Sequence, residues 1–489
     1  MKVIIPMSGV GQRFLDAGYT DPKPLISVDG KPMIHHVMDM FPGAEFLCIY
    51  NSEHTNVPDV IGNRAKCVAI PAHKKGPVWT VLAAEEHISD EDEVIVSYCD
   101  YGTQWNFEKF CHEMKTLGAD GGIAAYTGFH PHMLGPDHYA YVRHDNMWML
   151  DIQEKSPFTD NKMNEYASNG TYYVRTGRML KEYCRRLMSS EFVIKGEFYI
   201  SMIFKLMVND SLKVRIFEID KMLQWGTPRD LEEYNTWSGL FKYKQKDVGE
   251  IDAVTVLPMA GYGSRFSREG FLTPKPFLEV DGKPMVQRAL DCLPRTNETI
   301  LIKLDSHTLP YIDASVISIP SVTDGQATTC MVACSSIPPE KPILISACDN
   351  GVYFDPDAFR DLMDNDVVVW AFDNHPTGKQ KPHMYAWLDV DENNFIKRVS
   401  IKKPFEGCKY AIIGTMFFRR NEIFIEGYNE IRRRGLMTNG EYYVDNVIEP
   451  LIEKGYKVKM FKVDYYLCWG TPDDYRAYNY WKEYFESSR

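Results

Sequence analysis

The chain has 489 residues, 44% hydrophobic and 25% charged, the balance of a globular protein long enough to bury two sizeable cores. Its 55 Lys and Arg stand against 67 Asp and Glu, a formal net charge of -12. That argues against nonspecific nucleic-acid or anionic-membrane binding, although a few focused cations can still hold a phosphate.

The chain opens on an apolar strand, Val3-Ile4-Ile5-Pro6-Met7, without the basic start, apolar run and cleavage site of a signal peptide. No stretch is apolar for long enough to cross a bilayer, so no membrane insertion is expected. The 11 cysteines include no Cys-x-x-Cys pair and read as reduced thiols, which predicts a cytoplasmic protein.

A glycine loop follows the first strand, Gly9-x-Gly11-x-Arg13, and then Pro22-Lys23-Pro24. Glycines let backbone N–H groups approach and cradle an anion. Arg13 is placed to neutralise phosphate, and the two prolines stiffen the segment that carries Lys23. The third glycine of a dinucleotide-binding fingerprint and the Gly-Lys-Ser/Thr of a P-loop are both missing.

Strands are predicted at Phe46–Tyr50, Val94–Ser97 and Gly122–Tyr126, with a helix over Thr80–His87 behind Gly76-Pro77. Asp100 ends the apolar run at 94–97, where open α/β sheets bind ligands, and a carboxylate there suits Mg2+. Glu154-Lys155, Asn169-Gly170-Thr171, Gly196-Glu197-Phe198-Tyr199 and Trp225-Gly226-Thr227-Pro228 follow.

A short polar stretch, 242–250, then leads into a second copy of the same series. Met259-Ala260-Gly261-Tyr262-Gly263-Ser264-Arg265 matches Met7-Ser8-Gly9-Val10-Gly11-Gln12-Arg13, and Pro274-Lys275-Pro276 matches Pro22-Lys23-Pro24. Asp349 matches Asp100, and Trp469-Gly470-Thr471-Pro472 matches Trp225-Gly226-Thr227-Pro228. A period this long means two domains of one fold, predicted at 1–243 and 252–489. Short apolar strands alternating with helices predict, for each, a Rossmann-like α/β/α domain with a mixed, mostly parallel central sheet.

The Pro-Met-Ala-Gly-x-Gly-Ser-Arg-Phe…Pro-Lys-Pro opening, nearly reproduced in both copies, resembles the sugar-1-phosphate nucleotidyltransferase superfamily, and most of all its capsule and surface-polysaccharide members. The resemblance implies a GT-A-like fold and Mg2+-dependent joining of an NTP to a phosphorylated small molecule. It implies that Arg13, Lys23, Arg265 and Lys275 hold the triphosphate. The nucleotide would meet Met7, Ser8, Gly9 and Gly11, and in the second copy Met259, Ala260, Gly261 and Gly263. Its base and ribose would lie at Gly76, and at Gly325 and Gln326.

Asp100 and Asp349 would be the metal ligands. The family's usual second carboxylate is replaced by Gln224 and Cys468, with Asp220 and Asp464 just upstream. The acceptor would meet Glu154, Lys155, Gly170 and Glu197 in one copy, and Lys402, Gly414 and Glu441 in the other, where Ile401 stands in place of Glu154. Three other readings stay open: a cytidylyltransferase for a phosphorylated alcohol or amine, a bifunctional pair of sites, and a regulatory module that binds nucleotide without turnover. A glycosyltransferase of the same fold is disfavoured, because neither Asp100-Tyr101-Gly102 nor Asp349-Asn350-Gly351 forms an Asp-x-Asp. A homo-oligomer is allowed.

Overall fold

The computed structural model describes residues 1–373 and 375–487. The chain divides into two compact units, Met1–Ser238 with Glu483–Arg489, and Gly239–Lys482.

In the first unit nine strands form one mixed sheet. Its leading four, in spatial order, are Ala65–Ile70, Glu45–Asn51, Lys2–Met7 and Val94–Ser97, all parallel. Tyr166–Val174 then enters antiparallel, followed by Gly121–Tyr126, Val214–Glu218, Trp148–Glu154 and Ala140–Asp145. The central strands are continuous apolar runs because both faces are covered. Val94–Ser97 and Gly121–Tyr126 are buried at every position.

Ile4, Val96, Ile123 and Val174 pack on one face with the helices Pro77–Leu82, Gly177–Met188 and Ser201–Asn209. Val3, Ile5, Ile95 and Tyr173 pack on the other with Met33–Asp39 and Phe107–Thr116. Alternate residues of one strand therefore feed two separate cores.

The second unit repeats the order: Ser315–Ile319, Arg295–Leu304, Glu250–Pro258, Ile343–Ile345, Tyr410–Phe418, Val367–Phe372 and Val458–Lys462, with Ala386–Val390 and Ile396–Ile401 branching from Tyr410–Phe418. The predicted strands fall inside these segments or within a residue of them. The predicted helix at 80–87 is a helix at Pro77–Leu82 and a 3-10 turn at Glu85–His87.

Two devices position the site. A small ribbon pairs Tyr101–Gln104 with Lys221–Gln224 in register Tyr101↔Gln224, and its counterpart pairs Asn350–Tyr353 with Tyr465–Cys468. The ribbon brings the Trp-Gly-Thr-Pro segment back to the Asp: Trp225 N–H donates to the Asp100 carbonyl at 3.1 Å, and Trp469 N–H to that of Asp349 at 3.0 Å. The second device is a bulge. The pairing of Tyr166–Val174 with its neighbour slips between Ser168 and Thr171, and that of Tyr410–Phe418 slips across the stretch between Ile412 and Met416. Gly170 (φ 99) and Gly414 (φ 80) sit in these slips, where a side chain would be strained.

Candidate functional site

Each unit has a cavity of about 510 Å3 at the carboxyl ends of its leading strands. In the first unit Gly9, Gly11 and Arg13 line it from the loop after Lys2–Met7. Gly11 has φ 73 and caps the short helix Gln12–Asp16; Gly263, with φ 62, caps Ser264–Arg268 in the second unit. A Cβ at either would come within 3.3 Å of the Lys23 Cβ or 3.1 Å of the Lys275 Cβ, so each loop closes directly on its lysine.

Pro22 and Pro24 flank Lys23 in a 3-10 turn, and the ammonium donates to Asp100 Oδ2 at 2.5 Å. Lys275 makes the same bond to Asp349. Burial pulls each ammonium down, but the facing carboxylate outweighs it, so both lysines stay protonated with raised pKa values.

Around the second cavity lie Met259, Ala260, Gly261, Gly263, Arg265 and Lys275, with Gly325, Gln326, Asp349 and Glu441. Met7 and Ser8 are instead buried behind the first cavity. Ser8 Oγ lies 2.9 Å from both His73 Nε2 and Thr80 Oγ1. The Lys75 N–H donates to His73 Nδ1, so Nε2 carries the ring proton and donates. His73 therefore steadies the loop and is no base toward Ser8.

Gly76 (φ 88) and Gly325 (φ 143) cap the helices Pro77–Leu82 and Gln326–Cys334. Backbone of Phe198 or Tyr442 presses on each, leaving no room for a Cβ. Gln326, first residue of its helix, lines its cavity, whereas Gly76 and Pro77 at the matching positions fall outside the lining of the first.

Asp100 and Asp349 line the cavities. The ribbon sets Gln224 and Cys468 beside them: a Cβ on Gly226 would touch both Gln224 Nε2 and Asp100 Oδ2, and one on Gly470 both Asp349 Oδ2 and Cys468 Sγ. Asp220 and Asp464 instead lie at the opposite end of four-residue ribbons, on the order of 10 Å away. Asp464 also accepts from Tyr243 Oη.

Asp230 in the first unit is hydrogen-bonded by Thr227 and close enough to feel the charge of Asp100. No group of three or more His, Cys, Asp or Glu able to hold a metal occurs among the described residues. A single half-buried carboxylate nonetheless fits Mg2+, a hard ion that takes one or two carboxylates and fills its shell with phosphate oxygens and water.

On the far side of the first cavity stand Glu154, Lys155, Gly170 and Glu197. Lys155 has φ 58, and so does Lys402. Two non-glycine residues held in the left-handed region at matched positions mark a constrained site. Each ammonium lies over a tyrosine ring, Lys155 at 4.1 Å from the centroid of Tyr199 and Lys402 at 4.4 Å from that of Tyr443. Each also donates to that tyrosine's hydroxyl. Burial lowers both lysines, and the acidic neighbours (Glu154 and Glu197, or Glu441 and Asp445) oppose it. Burial raises Glu154, which accepts from Ser201 Oγ at 2.6 Å. Lys402 and Gly414 belong to this side in the second unit and fall outside the lining of its cavity.

Tyr199, Tyr443, His73 and Asp445 are functional candidates that the sequence patterns missed. Asp445 is half-buried, and burial pushes its carboxyl up to about 6 against the pull of Lys402. A group whose folded pKa is raised binds its proton more tightly when folded. The stability this gives is full below the unfolded value near 3.8 and lost as pH rises through about 6. Asp445→Asn should therefore raise the thermal midpoint at pH 8 by about 2–5 °C, and the gap should close by pH 4, as read by thermal melts across that range.

Three comparisons with known proteins bear on this geometry. The family model described as MobA-like NTP transferase domain matches residues 3–150 and again 255–403. Bifunctional protein GlmU of Buchnera aphidicola subsp. Schizaphis graminum (strain Sg) is 26% identical over 222 residues, 44% of this chain. The match spans 45% of that relative's length. Among solved structures, a nucleoside-diphosphate-sugar pyrophosphorylase from Vibrio cholerae RC9 matches at 18% identity and TM-score 0.40, covering 47% of this chain and 98% of its own. An inositol-1-phosphate CTP transferase from T. maritima matches at 15% identity and TM-score 0.38, covering 49% and 97%.

Proposed function

Since the chain belongs to the MobA-like NTP transferase family in both halves, we propose that each half joins an NTP to a phosphorylated small molecule with release of pyrophosphate. One observation carries the reading. Glycine loop, Arg, Lys and strand-end Asp surround one cavity, and the whole constellation occurs twice.

An acceptor phosphate oxygen attacks the α-phosphorus in line, and the bond to the β-phosphate oxygen breaks. A phosphate dianion needs no base, so the residues position charge rather than move protons. The glycine-loop N–H groups and Arg13 or Arg265 hold the triphosphate. Lys23 or Lys275 donates to the phosphate oxygens once the triphosphate draws it off its carboxylate. Asp100 or Asp349 would then hold Mg2+, which supplies charge neutralisation on the α-phosphate and the leaving pyrophosphate. Lys155 or Lys402 seats the acceptor phosphate.

Glu154, Glu197 and Tyr199 give the first cavity three groups that bind hydroxyls, which favours a polyhydroxylated acceptor. A sugar 1-phosphate bound for capsule or surface-polysaccharide synthesis is the class we assign, acting in the cytoplasm. The test is a matrix of NTPs against acceptor phosphates, read as pyrophosphate released by the full chain. Release should stop when EDTA removes divalent cation and return with excess Mg2+. A chain that releases nothing in any combination would overturn the reading.

A further inference from the structure

The two units differ most on the acceptor side, and the difference has a pattern. In the first unit Glu154 closes a strand and touches Ser201, the first residue of the helix Ser201–Asn209. In the second, the strand residue before Lys402 is Ile401, so the carboxylate there is gone. Counting from the shared Gly-Glu-x-Tyr stretches, Gly196–Tyr199 and Gly440–Tyr443, the counterpart of Ser201 is Asp445. The residues that frame this contact are held alike: Lys155 and Lys402 share φ 58, and each lies over and bonds to its tyrosine, Tyr199 or Tyr443. The second unit thus has a carboxylate at the helix position and none at the strand position, while the lysine is kept.

We propose that Asp445 is the acceptor-recognising carboxylate of the second site, approaching the acceptor from the side opposite to Glu154 in the first, and that it makes the two sites select different hydroxylated acceptor phosphates. This rests on reading the second cavity as a nucleotidyltransferase site.

Two facts beyond the positional match support it. Among the described residues no side chain donates a hydrogen bond to the half-buried Asp445 carboxylate, which leaves its oxygens open to a ligand. Its partly buried charge also works against folding at neutral pH. A half-buried anion that no protein side chain claims is the complement of a ligand O–H or N–H placed near a phosphate held by Lys402. Reaching in from the helix, Asp445 would meet a different hydroxyl from the one that Glu154 meets, so the acceptors need not coincide.

The test uses the full chain carrying Lys23→Ala, so that pyrophosphate release reports the second site. Glucose 1-phosphate, inositol 1-phosphate and phosphocholine serve as acceptors, each with CTP, UTP and dTTP. Asp445→Asn should raise KM for the acceptor about tenfold or more and leave KM for the NTP within about twofold, the loss of one charge-assisted hydrogen bond. The exchange Ile401→Glu with Asp445→Ser should restore turnover. It should also shift the acceptor preference toward that of the first site, measured in a chain carrying Lys275→Ala. An unchanged acceptor KM in Asp445→Asn, or an exchange variant that keeps the parent's preference, overturns the proposal. If the parent itself releases no pyrophosphate with any pair, the reading of the second site fails, and that shows before Asp445 is altered.

Discussion

A chain carrying both Lys23→Ala and Lys275→Ala should release pyrophosphate about 10²–10³-fold more slowly than the wild type at saturating NTP and acceptor, the loss that follows removal of one preorganised donor to a developing charge. The effect should fall mainly on kcat, because the lysine's bonds to the phosphate oxygens strengthen as charge builds on the leaving group. Each single variant should silence only its own unit. If one of them removes all turnover with a given NTP and acceptor, the other site does not use that pair. The control is stability. Either lysine leaves behind an Asp that is about one quarter exposed and can rehydrate, so the cost in folding should stay at about 1 kcal/mol. Near-wild-type turnover in the double variant would overturn the role given to these lysines.

The largest effect on structure is expected at the glycines ahead of the helices at 77 and 326. In Gly325→Ala the new Cβ would lie 2.4 Å from both N and O of Tyr442, at φ 143. In Gly76→Ala it would meet Phe198 backbone at 2.6 and 2.7 Å, at φ 88. Backbone cannot step aside as a side-chain tip can, and both φ values are ones that L-residues avoid. The two penalties together should cost about 3 kcal/mol or more, roughly 6–12 °C in the melting of the affected unit. Gly9→Ala is the control: nothing lies within 4 Å of its Cβ, and calorimetry should find its melt unchanged.

The same two glycines show how far a sequence reaches. Gly76 and Gly325 announce a helix start, but why each must be glycine depends on Phe198 and Tyr442, distant residues whose backbone presses against it. Gln224 and Cys468 are similar. They read as lost metal ligands by position, and only the ribbon registers Tyr101↔Gln224 and Asn350↔Cys468 set them beside Asp100 and Asp349. Asp220 and Asp464, the carboxylates just upstream, are set by strand spacing at the far ends of the ribbons.

The sequence by itself determined the duplication, the α/β alternation and the glycines, Arg and Lys that line each cavity, because each rests on local chemistry: buried strands must be apolar throughout, and an anion cradle needs its glycines, Arg and Lys within a few residues of one another. How the residues around Lys155 and Lys402 meet was decided by tertiary structure. Glu154 and Ser201 meet only after a strand end and a helix start pack together.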